Sequence, residues 1–130
     1  MPQQTSWIIE NHLVQMKYTG DISVEDLVEG STQLKANLES SDAPLVHVLV
    51  DVLEMTSFPK RVQEITPIVR EAMSHPRYGW LVLVGFKNPF VSSLAFLVSQ
   101  IFRSRYRAFK TYDEAMHFLE QVDPELMHLA

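Results

Sequence analysis

Two ionisable residues, His47 and Asp51, interrupt an otherwise apolar stretch and are the first candidates for chemistry in this sequence. Residues 45–52 are apolar on both faces apart from these two, which predicts a strand covered on both sides of a sheet. We expect His47 to be a neutral, hydrogen-bonded core residue, since no second metal ligand stands near it in sequence. Asp51 is expected to end the strand, where open α/β sheets bind ligands; an Asp that caps a loop is the alternative.

The usual signatures of an enzyme are absent from the sequence. There is no cysteine, which excludes disulfides, thiolate metal sites and a cysteine nucleophile. No glycine-rich phosphate loop follows either predicted central strand, and no Gly-x-Ser-x-Gly elbow occurs. The five histidines show no metal-ligand spacing. The sequence therefore predicts a protein that is not an enzyme and that has neither a cofactor nor a metal site.

Residues 88–102 predict an apolar helix with one large ring on its polar side. At about 100° per residue most apolar side chains fall in one arc of roughly 160°, which is typical of a core-facing helix. Phe96 lies outside that arc, among serine, glutamine and arginine. It either tucks under a neighbouring loop or contacts a ligand or partner. The run holds about 15 residues, and a membrane-spanning helix needs roughly 20, so no transmembrane segment is expected.

A basic run follows that helix in an otherwise acidic chain. It comprises Arg103, Arg105, Arg107 and Lys110, whereas the net charge of the protein is -5. Charged residues commonly protect an edge strand, which is one interpretation of the run. Binding of an anionic head group or an acidic partner is the other, with Arg103 as the charged anchor at the end of the helix.

Composition and charge limit the remaining possibilities. The chain has 130 residues, 46% hydrophobic and 21% charged, which fits one domain over residues 1–130 with an ordered core at about 6–122. The acidic balance argues against a general affinity for nucleic acid. Residues 1–6 carry neither a basic region nor a long apolar run, so a secretory signal is not expected and a cytoplasmic location is predicted.

The periodicities predict the element order β-β-α-β-α-β-α-β-α. Strands are expected at residues 7–10, 12–19, 45–52, 80–86 and 106–109, and helices over 60–74 and 88–102 and after the caps Ser23 and Thr111. Gly30 is a mild flaw in the first helix, and Pro67 predicts a kink or a fresh start capped by Thr66. The fold class is therefore α/β: a mixed, mostly parallel five-stranded sheet with an N-terminal β-hairpin, an antiparallel edge strand and four helices.

Two stretches give the sequence a family resemblance. Residues 49–51 (LVD) and 107–119 (RAFKTYDEAMHFL), within about residues 6–122, resemble the STAS domain, and more closely its stand-alone SpoIIAA-like branch. Classical members are anti-sigma-factor antagonists with an Asp-Ser pair before the helix that follows the central strand, and a partner kinase phosphorylates that serine. The corresponding residues 54–60 contain no Asp-Ser pair, and Thr56 and Ser57 are the nearby hydroxyls.

The resemblance implies binding rather than catalysis. The SpoIIAA-like branch is thought of as holding hydrophobic ligands between sheet-covering helices, often as a homodimer. We therefore predict a cytoplasmic, non-catalytic module that binds an apolar or amphiphilic ligand, or a protein partner, between helices 60–74 and 88–102. Its predicted contacts are Phe90, Phe96, Phe102, Arg103 and Asp51. The alternative is a partner-switching signalling regulator that is phosphorylated at Thr56 or Ser57.

Overall fold

A computed structural model describes residues 2–57, 59, 62–85 and 105–126 of the chain. These residues form five strands: β1 (Gln3–Ile9), β2 (Leu13–Asp21), β3 (Val46–Ser57), β4 (Tyr78–Val84) and β5 (Tyr106–Phe109). The helices in the same part of the chain are α1 (Val24–Ser40), α2 (Val62–Met73) and α3 (Tyr112–Val122). The further helix predicted at 88–102 lies outside the described residues.

The strands form one mixed sheet in the order β1-β2-β3-β4-β5. β1 is antiparallel to β2, and each later pair is parallel. The turn of the hairpin contains Asn11 in a left-handed conformation (φ 69°), and the His12 N–H donates to the Ile9 carbonyl at 3.0 Å. The predicted α/β class, N-terminal hairpin and antiparallel edge strand are confirmed, although β1 begins at Gln3, earlier than the predicted residue 7.

Each face of the sheet carries its own apolar cluster. On one face Val14, Met16 and Tyr18 of β2 are buried in a cluster that includes Leu34 and Leu38 of α1. On the other face Leu13, Leu49 and Val82 pack with Ala115 and Leu119 of α3. The alternation along β2 is as predicted, because Gln15 and Lys17 remain only partly buried. Helices therefore cover the sheet from both sides.

Gly30, predicted to be a mild flaw in the helix, allows α1 to approach the sheet closely. A Cβ at this position would lie 2.7 Å from the Tyr18 hydroxyl and 3.1 Å from Met16 Cε. Contacts shorter than 3.0 Å are almost never made by a real Cβ. The intrinsic cost of glycine in a helix is about 1 kcal/mol, and here it is offset by tight packing of helix on strand.

The helix starts are set by local capping, as predicted. The Ser23 Oγ accepts from the Asp26 N–H at 3.1 Å, and the Asp26 carboxylate accepts in return from the Ser23 N–H at 2.9 Å. At α3 the Thr111 Oγ1 accepts from the Glu114 N–H at 3.2 Å. Pro67 lies inside α2, which continues through it, so the fresh start at Thr66 does not occur.

The C-terminal end of α1 is capped by an arginine that is distant in sequence. Arg77 Nη1 donates to the carbonyl oxygens of Leu38 at 3.1 Å and Glu39 at 3.3 Å, and also to that of Ser41. The last turn of α1 has no basic residue of its own. Arg77 therefore supplies both the hydrogen bonds and the positive charge that a helix C-terminus favours.

Candidate functional site

Asp51 lies in the middle of β3, so the prediction that it ends the strand was wrong. β3 continues to Ser57 because β2 is also longer than predicted and pairs with this extension. Gly20 lies opposite Met55 and Asp21 lies opposite Ser57. The register shifts once before Gly20, between Lys17 and Thr19, and once between Gly20 and Asp21. Only 4% of Asp51 is exposed.

The carboxylate of Asp51 is held by hydrogen bonds within the chain. Its Oδ1 accepts from the Leu53 N–H at 3.0 Å, and its Oδ2 accepts from the Tyr112 hydroxyl at 3.0 Å. Gln15 Nε2 in turn donates to the Tyr112 oxygen. Burial and the negative charge of Asp51 raise the pKa of Tyr112, so its phenol keeps the proton that it donates. The hydrogen bond from the Leu53 N–H to Asp51 is close to the alternative prediction, in which an Asp caps a loop by accepting from the amide of the second residue after it.

Thr56 and Ser57 meet Asp21 where β2 and β3 end. The Thr56 Oγ1 and the Ser57 Oγ both donate to Asp21 Oδ1, each at 2.8 Å. The Ile22 N–H donates to the Ser57 carbonyl at 2.9 Å and extends the strand pairing to this point. We call Asp21, Thr56 and Ser57 the Asp21 cluster. Sequence analysis identified the two hydroxyl residues but did not single out Asp21, because its partners lie 35 and 36 residues away.

The Asp21 cluster presents hydroxyls to solvent beside a fixed carboxylate. Asp21 and Thr56 are exposed and Ser57 is half-buried. The hydrogen bonds from Ser57 and Thr56 lower the pKa of Asp21, so the carboxylate is ionised near neutral pH. A carboxylate with a lowered pKa is a poor general base, which argues against autonomous activation of either hydroxyl. Both hydroxyls remain accessible to an external modifying enzyme.

His47 fills a bulge between β3 and β4. Val46 pairs with Tyr78 and Val48 with Leu81, so Gly79 and Trp80 together lie opposite the single residue His47. The Trp80 N–H, displaced from the ladder, donates to His47 Nδ1 at 2.9 Å. His47 Nε2 lies 2.9 Å from Asp123 Oδ2 at the end of α3. This is the buried, hydrogen-bonded histidine that was predicted, and it pairs with Asp123 rather than Asp51.

We expect His47 to make the stability of the fold pH-dependent. Burial lowers the pKa of His47 below its usual value of about 6.5, and the Asp123 carboxylate opposes this shift only in part. As pH falls below about 6.5, the unfolded chain takes up a proton that folded His47 does not, so the free energy of unfolding decreases. The decrease ends once the pH is below the pKa of His47 in the folded protein. Because only one proton is involved, the free energy of unfolding changes by at most about 1.4 kcal/mol per pH unit.

Urea denaturation at several pH values between about 7.5 and 5.5, on either side of the usual histidine pKa, would measure this decrease in the free energy of unfolding. The difference in slope between the wild type and His47→Gln isolates the His47 contribution, and the exposed His117→Gln serves as the matched control. Should His47→Gln not fold, an NMR titration of the His47 ring reports its pKa directly. Equal slopes in all three proteins, or a His47 pKa above about 6.5, would contradict the prediction.

The other predicted contacts are only partly within the described residues. Phe90, Phe96, Phe102 and Arg103 lie outside them, and so does the surface between helices 60–74 and 88–102. Arg107 lies on the edge strand β5, with its guanidinium carbon 5.6 Å from the centre of the Phe118 ring. Arg105 Nη1 donates to the Tyr78 carbonyl at 3.4 Å. The edge-strand interpretation of the basic run therefore fits the part that the structure describes.

The described residues contain neither a cluster of metal ligands nor a membrane-spanning helix. No group of three or more His, Asp or Glu side chains there is arranged to hold a metal ion. No helix in that part of the chain is long and apolar enough to cross a membrane.

Comparison with solved structures identifies the fold. A protein of the DUF3478 family from Shewanella loihica PV-4, described as having a SpoIIAA-like fold, is similar at a TM-score of 0.64 and 13% identity over 90% of this chain and 91% of that one. This chain has a SpoIIAA-like fold. The anti-sigma factor antagonist SpoIIAA in its unphosphorylated form gives 0.62 and 12% identity, over 92% of this chain and 96% of that one. Phosphorylated SpoIIAA, described as a Bacillus cell fate determinant, gives 0.59 and 10%, over 90% and 98%.

This SpoIIAA-like domain is therefore similar to these proteins in fold, and the fold agrees with the resemblance predicted from the sequence. No protein-family model matches the sequence, and no curated protein matches it either. Identities of 10–13% are too low to transfer an activity residue by residue.

Proposed function

We propose that this SpoIIAA-like domain is a non-catalytic regulatory module that recognises a protein partner through the Asp21 cluster. Phosphorylation of Ser57 or Thr56 would switch that recognition. The observation that carries the proposal is the contact of two hydroxyls with one oxygen of Asp21 at an exposed end of the sheet. SpoIIAA, an anti-sigma factor antagonist of the same fold, has been solved in phosphorylated and unphosphorylated forms, which supports a switch of this kind.

The chemistry of the Asp21 cluster explains how such a switch would act. A phosphate on Ser57 removes the O–H that Asp21 accepts and adds about 1.5–2 negative charges at neutral pH. Asp21 is already ionised, so the modified cluster would contain two adjacent anionic groups without a paired cation among its own residues. A partner that fits the neutral hydroxyls would then meet like-charge repulsion and a larger group.

The non-catalytic part of the proposal rests on the ionisable residues of the sheet. Asp51 is occupied by Leu53 and Tyr112, and both ring nitrogens of His47 are engaged by Trp80 and Asp123. Neither residue is therefore free to act as a general base on a substrate in the described structure. A cytoplasmic location remains a prediction.

Mapping of phosphorylation in the protein purified from its own cells tests the switch. We expect one phosphate on Ser57 or Thr56 in the intact-mass spectrum of the wild type and none in the Thr56→Ala, Ser57→Ala double variant. The matched control is Ser31→Ala, which removes a hydroxyl from the surface of α1. Absence of phosphate from both residues in growing and in starved cells would overturn the switch, as would the same phosphate count in the double variant.

A groove between α1 and α2 favours a second candidate function, the binding of an amphiphile. The groove has a volume of about 320 Å3, within the range of small-molecule sites. Val28, Ile68 and Ala72 line it, and Val28 is 45% exposed. Lys35 and Glu71 also line it and form an ion pair at 3.5 Å, so an acidic head group would have to displace the Glu71 carboxylate to reach the ammonium group. This is a helix-lined surface, although a different one from the surface predicted between helices 60–74 and 88–102.

Native mass spectrometry of the freshly purified protein tests the amphiphile. A bound lipid should appear as an added mass in the wild type and disappear in Val28→Asp, which places a carboxylate in the groove. Val122→Asp is the control, because Val122 is similarly exposed (39%) but lies on α3. A wild type without added mass, or an equal loss in both variants, would remove this candidate.

A further inference from the structure

The end of β3 contains a bulge that brings two consecutive side chains to the same carboxylate. Gly20 pairs with Met55, whereas the next residue of β2, Asp21, pairs with Ser57. Thr56 and Ser57 therefore lie together opposite the single residue Asp21. In a regular strand successive side chains point to opposite faces of the sheet. Here both hydroxyls donate to Asp21 Oδ1 at 2.8 Å, because a bulge redirects a side chain.

Gly20, directly before Asp21, has a backbone conformation that interrupts the regular course of β2. Its φ is 72°, in the left-handed region that residues with a side chain rarely adopt. The register of β2 and β3 shifts between Gly20 and Asp21. A Cβ at Gly20 would have nothing within 4 Å among the described residues beyond its chain neighbours, so close packing does not explain glycine at this position. The backbone conformation does.

The strand pairing links the conformation of Gly20 to the direction of the Asp21 side chain. Immediately after the bulge the Ile22 N–H donates to the Ser57 carbonyl at 2.9 Å, so the two strands are joined again there. Asp21 is thus fixed between a left-handed residue on one side and a paired residue on the other. With an ordinary extended backbone at Gly20, the Asp21 Cβ would point in another direction and the carboxylate would lose at least one of the two hydroxyls.

We propose that Gly20 is the positioning residue of the Asp21 cluster. Its left-handed backbone, together with the bulge at Thr56 and Ser57, keeps both hydroxyls on one oxygen of Asp21. This inference rests on the proposed function, since that oxygen and the two hydroxyls form the surface that the partner would recognise. A residue that favours extended backbone at position 20 would separate the hydroxyls from Asp21. Asparagine, which visits the left-handed region, would preserve the arrangement.

An NMR titration of the Asp21 carboxyl group tests this positioning. In the wild type the hydrogen bonds from Ser57 and Thr56 keep the pKa of Asp21 below its usual value of about 3.9. Gly20→Ala should raise this pKa towards that of the Thr56→Ala, Ser57→Ala double variant, in which both hydrogen bonds are absent. Gly20→Asn should retain the wild-type pKa. Thr19→Ala is the matched control, because Thr19 is the neighbour of Gly20 on β2 and does not have a positive φ.

The titration separates the positioning role from a general effect on stability. If the Asp21 carboxyl of Gly20→Ala titrates as in the wild type, the proposal is wrong. It is also wrong if Gly20→Asn shifts the Asp21 pKa as far as Gly20→Ala does. Should Gly20→Ala not fold, residual dipolar couplings of the wild type report the φ of Gly20, and a value outside the left-handed region would overturn the proposal.

The outcome of the titration does not depend on the phosphorylation switch. The expected titration without phosphate on Ser57 or Thr56 would support the role of Gly20 and remove the switch. Phosphate on either residue, combined with an unchanged titration in Gly20→Ala, would support the switch and remove the role of Gly20.

Discussion

Replacing Gly79 by alanine should lower the free energy of unfolding by about 2–4 kcal/mol. A Cβ on Gly79 would lie 2.5 Å from His47 Nδ1, 2.8 Å from His47 Cε1 and 3.2 Å from the Val46 carbonyl oxygen. The ring of His47 is buried and cannot move away without losing its bonds to the Trp80 N–H and to Asp123. The cost therefore combines overpacking of the core with a buried amide that loses its acceptor.

A double-mutant cycle in urea distinguishes this mechanism from a general intolerance of the strand. Removing the ring with His47→Ala makes room for the new methyl group, so Gly79→Ala should cost at least about 1 kcal/mol less in that background. Equal costs of Gly79→Ala in the two backgrounds would show that the methyl group does not act through His47.

Replacing Arg77 by alanine should lower the free energy of unfolding by about 2–3 kcal/mol. The substitution removes charged hydrogen bonds to the carbonyls of Leu38, Glu39 and Ser41, and it leaves those oxygens at the negative end of α1. Arg77→Lys retains the charge but not the planar fork, so it should lose only about 1 kcal/mol.

Arg70→Ala is the matched control for this prediction. Arg70 is exposed in the last turn of α2, and its removal should cost about 0.5 kcal/mol or less. Thermal and urea unfolding of the three variants under the same conditions give the comparison. If Arg77→Ala behaved like Arg70→Ala, the cap on α1 would not contribute to stability.

The features that the sequence predicts well are those determined by nearby residues. Both helix starts follow from a hydroxyl and a residue three positions later, at Ser23 and at Thr111. The buried face of β2 follows from strict alternation, and the hairpin follows from two strands separated by a short turn. These patterns sufficed for the fold class and for the antiparallel edge strand.

The features that were missed depend on residues that meet only in the folded chain. Arg77 reaches α1 carbonyls 36 to 39 positions earlier, and no local pattern links them. The extension of β3 past Asp51 depends on pairing with the end of β2, because Asp51 and Glu54 interrupt the apolar run from which the strand was predicted. Gly30 looked unfavourable because helix propensity ignores the neighbouring strand. Of the predicted binding residues, only Asp51 and the two hydroxyl residues lie within the described structure.

The order of the five strands has a consequence for the kind of molecule that this sheet can recognise. Each described strand lies beside the previous described strand in the chain, so the strand order within the described residues does not reverse across the sheet. Open α/β sheets hold nucleotides and other small metabolites in a crevice that opens where that direction reverses, since the loops on either side diverge there. Among the described strands, the end of the sheet that carries Asp21 and Ser57 does not have this route to a cleft, which agrees with the protein partner that we propose for the Asp21 cluster.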